Sequence, residues 1–184
     1  MLFTTSQTDT DLRQILDLQK RNLPLSLSQE EINREGFVTV SHRFEDLKQM
    51  NLYEQHVIAK ENDIVVAYLL AMTEKSKHDI PVLIPMFDVF DEIIYRGKKI
   101  SEYKYLVVGQ VCVAREFRGQ GVLDLCYGEY KKRFSPRYDF AITEISKKNP
   151  RSLNVHQRVG FEIVHEYLDN HGIDWDIVLW DWRA

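Results

Sequence analysis

Val111-Cys112-Val113-Ala114-Arg115-Glu116-Phe117-Arg118-Gly119-Gln120-Gly121-Val122-Leu123 is the stretch that decides the fold. It completes an apolar run that begins at Tyr105, and it opens into a helical pattern that continues to about Phe134. A strand, a loop with two glycines and a helix start are therefore contiguous. The first turn of a helix has unpaired N–H groups and a partial positive charge. Glycines let the backbone approach a bulky anion. Together they predict a cradle for a pyrophosphate.

The neighbouring segments extend this into an α/β pattern. The helix carries Leu123, Cys126, Tyr127 and Tyr130 on one face, with Pro136 just beyond its end. Residues 139–145 read as a strand, and a strand–helix–strand crossover of this length is parallel and right-handed. Asn149-Pro150 reads as a cap and first position of a further helix, ending before Gly160. Residues 161–168 and 175–182 read as two strands joined by Asp169-Asn170-His171-Gly172.

Towards the N-terminus, residues 2–5 suggest a short strand. A helix from about Thr10 shows Leu12, Ile15, Leu16 and Gln19 on one face and stops at Pro24. Ser28 and Glu31 have capping-box spacing, and Gly36 would end that helix. Ser41 is the expected cap of a helix through Phe44, Leu47 and Met50. Residues 55–60 and 64–71 form an expected hairpin about the polar turn Glu61-Asn62-Asp63. Residues 73–104 are less regular: Pro81 and the Ile84-Pro85 step predict breaks, and 87–95 a helix. Met86, Phe87, Phe90 and Tyr95 in this insertion fit a core better than the lining of a pocket. No repeat or linker is evident, so residues 1–184 read as one domain.

Composition bounds the function. The chain has 184 residues, 44% hydrophobic and 28% charged, with a net charge of −4. That balance argues against a nucleic-acid partner. No apolar run approaches the roughly 20 residues that span a bilayer, and no export signal opens the chain. Cys112 and Cys126 sit in apolar patterns and read as reduced thiols, which places the protein in the cytoplasm.

Four features carry a family likeness. Arg118-Gly119-Gln120-Gly121 is similar to the start of the R-x-x-G-x-G/A loop of the GNAT superfamily, the acyl-CoA-dependent N-acetyltransferases. Gly109-Gln110-Val111-Cys112-Val113 resembles that family's central strand, Asn149-Pro150-Arg151-Ser152 its Asn-x-x-Ala/Ser step, and Val159-Gly160-Phe161 its L-G-F turn. The order of helices and strands resembles it across nearly the whole chain. The resemblance implies an α/β (α+β) fold, a mixed, mostly antiparallel sheet whose central parallel strand pair splays around acetyl-CoA, with helices on both faces. Two positions depart from the pattern. The sixth loop position is Leu123 rather than Gly or Ala, and His156 stands where many members place a Tyr.

The implied activity is direct transfer of an acetyl group from acetyl-CoA to a primary amine, on a small-molecule or peptide acceptor, with no metal. The amides of Gln120, Gly121, Val122 and Leu123 would face the pyrophosphate beside Gly119, with charge from Arg118 and Arg115. Backbone groups of Val111 and Val113, next to Cys112, would pair with the pantetheine arm. A strand amide there would polarise the thioester. Asn149 would bond the pantetheine, with Ser152 beside it. His156 is the positional candidate for the acid that protonates the thiolate: its ordinary pKa of about 6.5 against about 8.5 for a thiol permits it. A helix-surface residue is an equally good reading. Glu144 and Glu54 are candidate bases. An acyl-Cys112 route lacks a basic partner in the sequence. The alternative to an enzyme is a catalytically weak acyl-CoA-binding regulatory module. A dinucleotide oxidoreductase fails for want of three spaced glycines and a ribose-binding acid. Acceptor choice is expected from the two early helices and residues 73–104. Trp175, Trp180 and Trp182 offer a face for a homodimer or simply fill the core.

Overall fold

The computed structural model describes residues 1–183. Its strands are β1 (Leu2–Thr5), β2 (Val57–Glu61), β3 (Ile64–Met72), β4 (Ile94–Tyr95), β5 (Lys98–Lys99), β6 (Tyr105–Val113), β7 (Phe140–Ser146), β8 (Glu162–Leu168) and β9 (Asp174–Asp181). Its α-helices are α1 (Asp9–Lys20), α2 (Gln29–Glu35), α3 (Phe44–Tyr53), α4 (Ser76–Asp79), α5 (Ile84–Glu92), α6 (Val122–Phe134) and α7 (Pro150–Val159). Seven strands form one sheet in the order β1-β2-β3-β6-β7-β9-β8, and β4 and β5 form a small separate hairpin.

Every pairing in the large sheet is antiparallel except β6 with β7. That parallel ladder covers only Tyr105–Val107 against Phe140–Ile142. Both strands run on beyond it, so they fork. Thr143 Oγ1 bonds the Val108 carbonyl at 2.8 Å at the fork. On its other side β6 bulges: Leu69 pairs with Val111 and Ala71 with Val108, so Gly109 and Gln110 face Leu70 alone. An extra residue leaves backbone unpaired and bends the strand away from its neighbour. Gly109 is its local signal, since a glycine inside a strand often marks a bulge.

Local rules account for most helix ends. Ser28 and Glu31 close the expected capping box, and Gly36 ends α2 at φ 74°. Thr8 and Asp11 form a second box that opens α1. Asn62 and Asp63, both at positive φ, make the hairpin turn. Two expectations fail. Ser41 is not a cap: residues 36–43 form no helix or strand, and α3 starts at Phe44 after the cap residue Arg43, whose N–H donates to Asp46 at 2.9 Å. The insertion helix begins at Ile84, not Phe87, because Pro85 sits in the first turn, where its missing N–H is not needed. Tyr95 then falls in β4. Met86, Phe87 and Phe90 are buried in the core, as the sequence favours.

The aromatic face of α6 packs on β9 and the start of β8. Tyr127 meets Phe161 and Trp180, and Tyr130 meets Trp182, so Trp180 and Trp182 serve the core. Gly160 lets α7 turn into this cluster. It has φ 120°, and a Cβ there would lie 2.8 Å from Trp180 Nε1. Gly160→Ala is therefore expected to destabilise the protein by about 2–4 kcal/mol through backbone strain and overpacking, read as a lowered urea midpoint at constant m.

Candidate functional site

The fork between β6 and β7 opens two adjoining clefts. The larger, of about 310 Å³, lies between the end of β6, the first turn of α6 and α7. The smaller, of about 70 Å³, lies deeper in the fork and touches both strands. Val111, Asn149, Ser152 and His156 border both, and so do Phe37 and Val38 from the segment between α2 and α3.

The backbone of β6 supplies one wall. Ala114 N–H donates to Val66 O at 2.7 Å. Ladder groups alternate sides along a strand, so Cys112 also turns to β3, while Val111 and Val113 direct theirs into the fork. Arg118 Nε already bonds the Val113 carbonyl at 2.9 Å. Gly119 (φ 73°) and Gly121 (φ 75°) turn the chain into α6, and a Cβ on either would meet nothing within 4 Å. Gly121 is the cap of α6, in the left-handed region that glycine favours. The result is an open, amide-lined pocket at a positive helix end, which suits a phosphorylated ligand.

Most of the expected donor residues line the larger cleft: Val111, Cys112, Val113, Arg118, Gly119, Gly121, Val122, Leu123, Asn149 and Ser152. Gln120 does not line it; its side chain turns back to the Glu116 carbonyl at 2.7 Å. Leu123 is half-buried against the core while still edging the cleft. Arg118 is not a free cation. Its Nη1 donates to Glu35 at 2.7 Å and its Nη2 to Asn22 Oδ1 at 2.6 Å. Asn149 is similarly engaged: its Oδ1 caps α7 at the Ser152 N–H, and its Nδ2 donates to Phe37 O at 3.0 Å. Sequence reasoning missed Arg151 and Arg158, which line the cleft from one face of α7 at two-turn spacing. Arg158 pairs with Asp124 at 2.8 Å, whereas Arg151 bonds the Arg34 carbonyl.

His156 is buried, with 3% exposure. Its Nδ1 lies 2.7 Å from the Ser152 carbonyl, an acceptor, so Nδ1 carries the proton. Nε2 then accepts from the Tyr127 hydroxyl at 2.7 Å. Desolvation lowers its pKa to about 4, so the ring is neutral at pH 7 and both nitrogens are committed. It is not the helix-surface residue that sequence spacing allowed. Tyr127→Phe leaves the buried Nε2 unpaired and is expected to cost about 1–3 kcal/mol of stability, measured by chemical unfolding.

Glu144 borders the smaller cleft with Gln110, Thr143 and Trp175. Desolvation raises its pKa to about 6, against the opposing hydrogen bond from Tyr167 at 2.5 Å. A carboxylate poised there can accept a proton from a cationic group in the cleft. Trp175 is oriented by its Nε1 bond to Asp169 at 3.0 Å. Glu54 lies elsewhere: it is buried and bonded to Arg137 and to the Tyr138 hydroxyl at 2.7 Å, a structural cluster. Burial pushes the Cys112 thiol up to about 12, so it stays protonated. No residue of 73–104 lines either cleft among the described residues; the segment 35–39 does instead.

Known structures share this architecture. A GNAT-family acetyltransferase from Streptococcus agalactiae matches with a TM-score of 0.66 at 12% identity, over 98% of this chain and 94% of that one. The fold is that of the GNAT acetyltransferases. The NatB acetyltransferase complex bound to CoA and MES matches with 0.65 at 10% identity, over 98% and 99%. The ribosomal-protein-S18-alanine N-acetyltransferase from Escherichia coli matches with 0.62 at 11%, over 98% and 92%. No protein-family model matches the chain, and no curated protein matches it. On the GNAT fold of this chain the forked parallel pair and the glycine loop adjoin each other, as the sequence pattern implies. Among the described residues, no group of three His, Cys, Asp or Glu side chains could hold a metal ion. Among the described residues, no helix is long and apolar enough to cross a membrane.

Proposed function

We propose that this protein is an N-acetyltransferase that moves the acetyl group of acetyl-CoA to a primary amine, on a small molecule or a peptide. One observation carries the reading. A glycine-turned helix end and a forked strand with free amides form a cleft for a phosphorylated thioester, and it opens onto a second cleft holding a carboxylate of raised pKa. The NatB complex, solved with CoA, supports the donor, and the S18-alanine enzyme supports an amine acceptor.

The donor supplies an activated acetyl thioester. The amides at the start of α6, with Arg118 and Arg151, hold its phosphates, and the Val111 and Val113 backbone pairs with its amide-rich arm. The fork-facing amides of β6 stabilise charge that develops on the carbonyl oxygen. Glu144 takes the ammonium proton, which makes the acceptor a nucleophile; its nitrogen forms the C–N bond, collapse of the tetrahedral intermediate breaks the C–S bond, and the departing CoA thiolate takes the second proton from that nitrogen. A neutral His156, its Nδ1–H turned to its own helix, orients Tyr127 and Ser152 rather than supplying an imidazolium proton. Two buried, unpaired thiols fit a cytoplasmic protein.

A second reading, an acyl-CoA-binding module without turnover, draws on the same commitment of His156. CoA release from acetyl-CoA over a panel of primary amines tests both. Amine-dependent release supports the enzyme; tight CoA binding without release from any amine supports the module.

A further inference from the structure

Arg118 and Asn149 both line the larger cleft, and one short segment holds them both. Glu35, the last residue of α2, accepts from Arg118 Nη1 at 2.7 Å, and its side chain is 16% exposed. Gly36 follows at φ 74°, so close that a Cβ would lie 2.7 Å from Asn149 Oδ1. The Phe37 carbonyl takes the Asn149 amide at 3.0 Å. Val38 N–H donates to Asn22 O at 3.1 Å, and Asn22 Oδ1 is itself bound to Arg118. Farther on, Gln110 holds the Val40 carbonyl at 2.9 Å. Residues 36–40 therefore form a strap over the fork, and its Phe37 and Val38 border both clefts.

An arginine grips a carboxylate and a phosphate with the same planar fork of donors. We infer that Glu35 is an internal stand-in for the donor phosphate: it latches the strap 36–40 across the two clefts, and a pyrophosphate entering the cradle competes for Arg118 and releases it. This rests on the donor reading above. Exchange of one anion for another keeps Arg118 paired, and Glu35 keeps its bond from Arg34 Nε at 2.9 Å, so release leaves neither charge alone. Gly36 is the natural hinge. Once Glu35 departs, the Phe37 carbonyl can leave Asn149, whose amide is then free for the donor's arm. Phe37 and Val38 move off the boundary between the clefts, and the acceptor gains its way to the thioester. Donor binding thereby precedes acceptor binding.

Amide hydrogen exchange on the full chain, with calorimetry in parallel, tests the latch. CoA and inorganic pyrophosphate are each expected to speed exchange in 36–40 about tenfold, and pantetheine alone to leave it slow. Glu35→Gln is expected to speed strap exchange with no ligand present and to tighten CoA binding about fivefold. Glu35→Asp, which keeps the charge but shortens the reach, is expected to loosen the strap in a chain that folds normally. Slow strap exchange in both variants overturns the latch. CoA that binds while strap exchange stays unchanged or slows overturns the coupling. A chain that binds no CoA overturns the donor reading instead, and strap exchange in the Glu35 variants still decides the latch.

Discussion

Gly121→Asp is expected to abolish CoA binding, with affinity down at least about 100-fold in a protein that still folds. Two effects add. Gly121 caps α6 in the left-handed region at φ 75°, where a residue with a Cβ is strained by roughly 1–2 kcal/mol. The new carboxylate also sits at the mouth of the cradle, where the helix end otherwise attracts an anion. Open space around the position rules out a steric collapse of the fold. Calorimetric titration with CoA, with circular dichroism to check folding, makes the measurement. Affinity retained within about threefold would sink the cradle, because no anion site tolerates a fixed like charge at its centre.

Glu144→Gln is expected to lower turnover by about 10²–10³, the range for loss of a general base. The unmodified protein should show kcat/KM rising with pH through about 6, the pKa to which desolvation lifts Glu144, because only the ionised carboxylate accepts the proton. The variant should lack that limb. Stability should move the other way. The folded pKa of about 6 stands above the ordinary carboxyl value of 4.5, so folding favours the protonated form. The benefit is complete below pH 4.5 and is lost as pH rises through 6. The variant, which cannot ionise, is therefore expected to have a higher Tm than the parent at pH 7.5 and an equal one at pH 4. Unchanged activity with the Tm difference intact would leave Glu144 a buried carboxylate and not the base.

The two experiments address residues of different legibility. Gly121 could be read directly, because a left-handed cap and a helix start involve only residues within one turn of each other. The same holds for the box at Ser28 and Glu31 and for the Asn149 cap. Glu144 was legible as a residue late on a strand beside the fork, but the rise in its pKa comes from burial, with the Asp169 charge adding to it and the Tyr167 hydrogen bond opposing it, and strand periodicity carries none of these. His156 was legible as a position and not as a chemical state. Its neutrality comes from Tyr127, on another helix, and from the surrounding aromatic rings. The lining of the two clefts was not legible: residues 73–104 border neither, Met86, Phe87 and Phe90 fill the core as their sequence favours, and the unmarked segment 36–39 borders the clefts.

By itself, then, the sequence determined the order of the main elements outside residues 73–104, the parallel pair, the glycine turn into α6 and the helix caps at Ser28 and Asn149. Periodicity, capping and backbone freedom are local properties, settled within a few residues. Only the tertiary structure decided where the strands fork, beside a bulge at Gly109 and Gln110; a glycine within a strand permits a bulge but does not say where two strands part. It alone decided that Arg118 meets Glu35, 83 residues earlier, and that Asn149 meets Phe37, 112 residues earlier. Hydrogen-bond partners and desolvation across such separations depend on which surfaces the folded sheet brings together, and no local pattern contains that information.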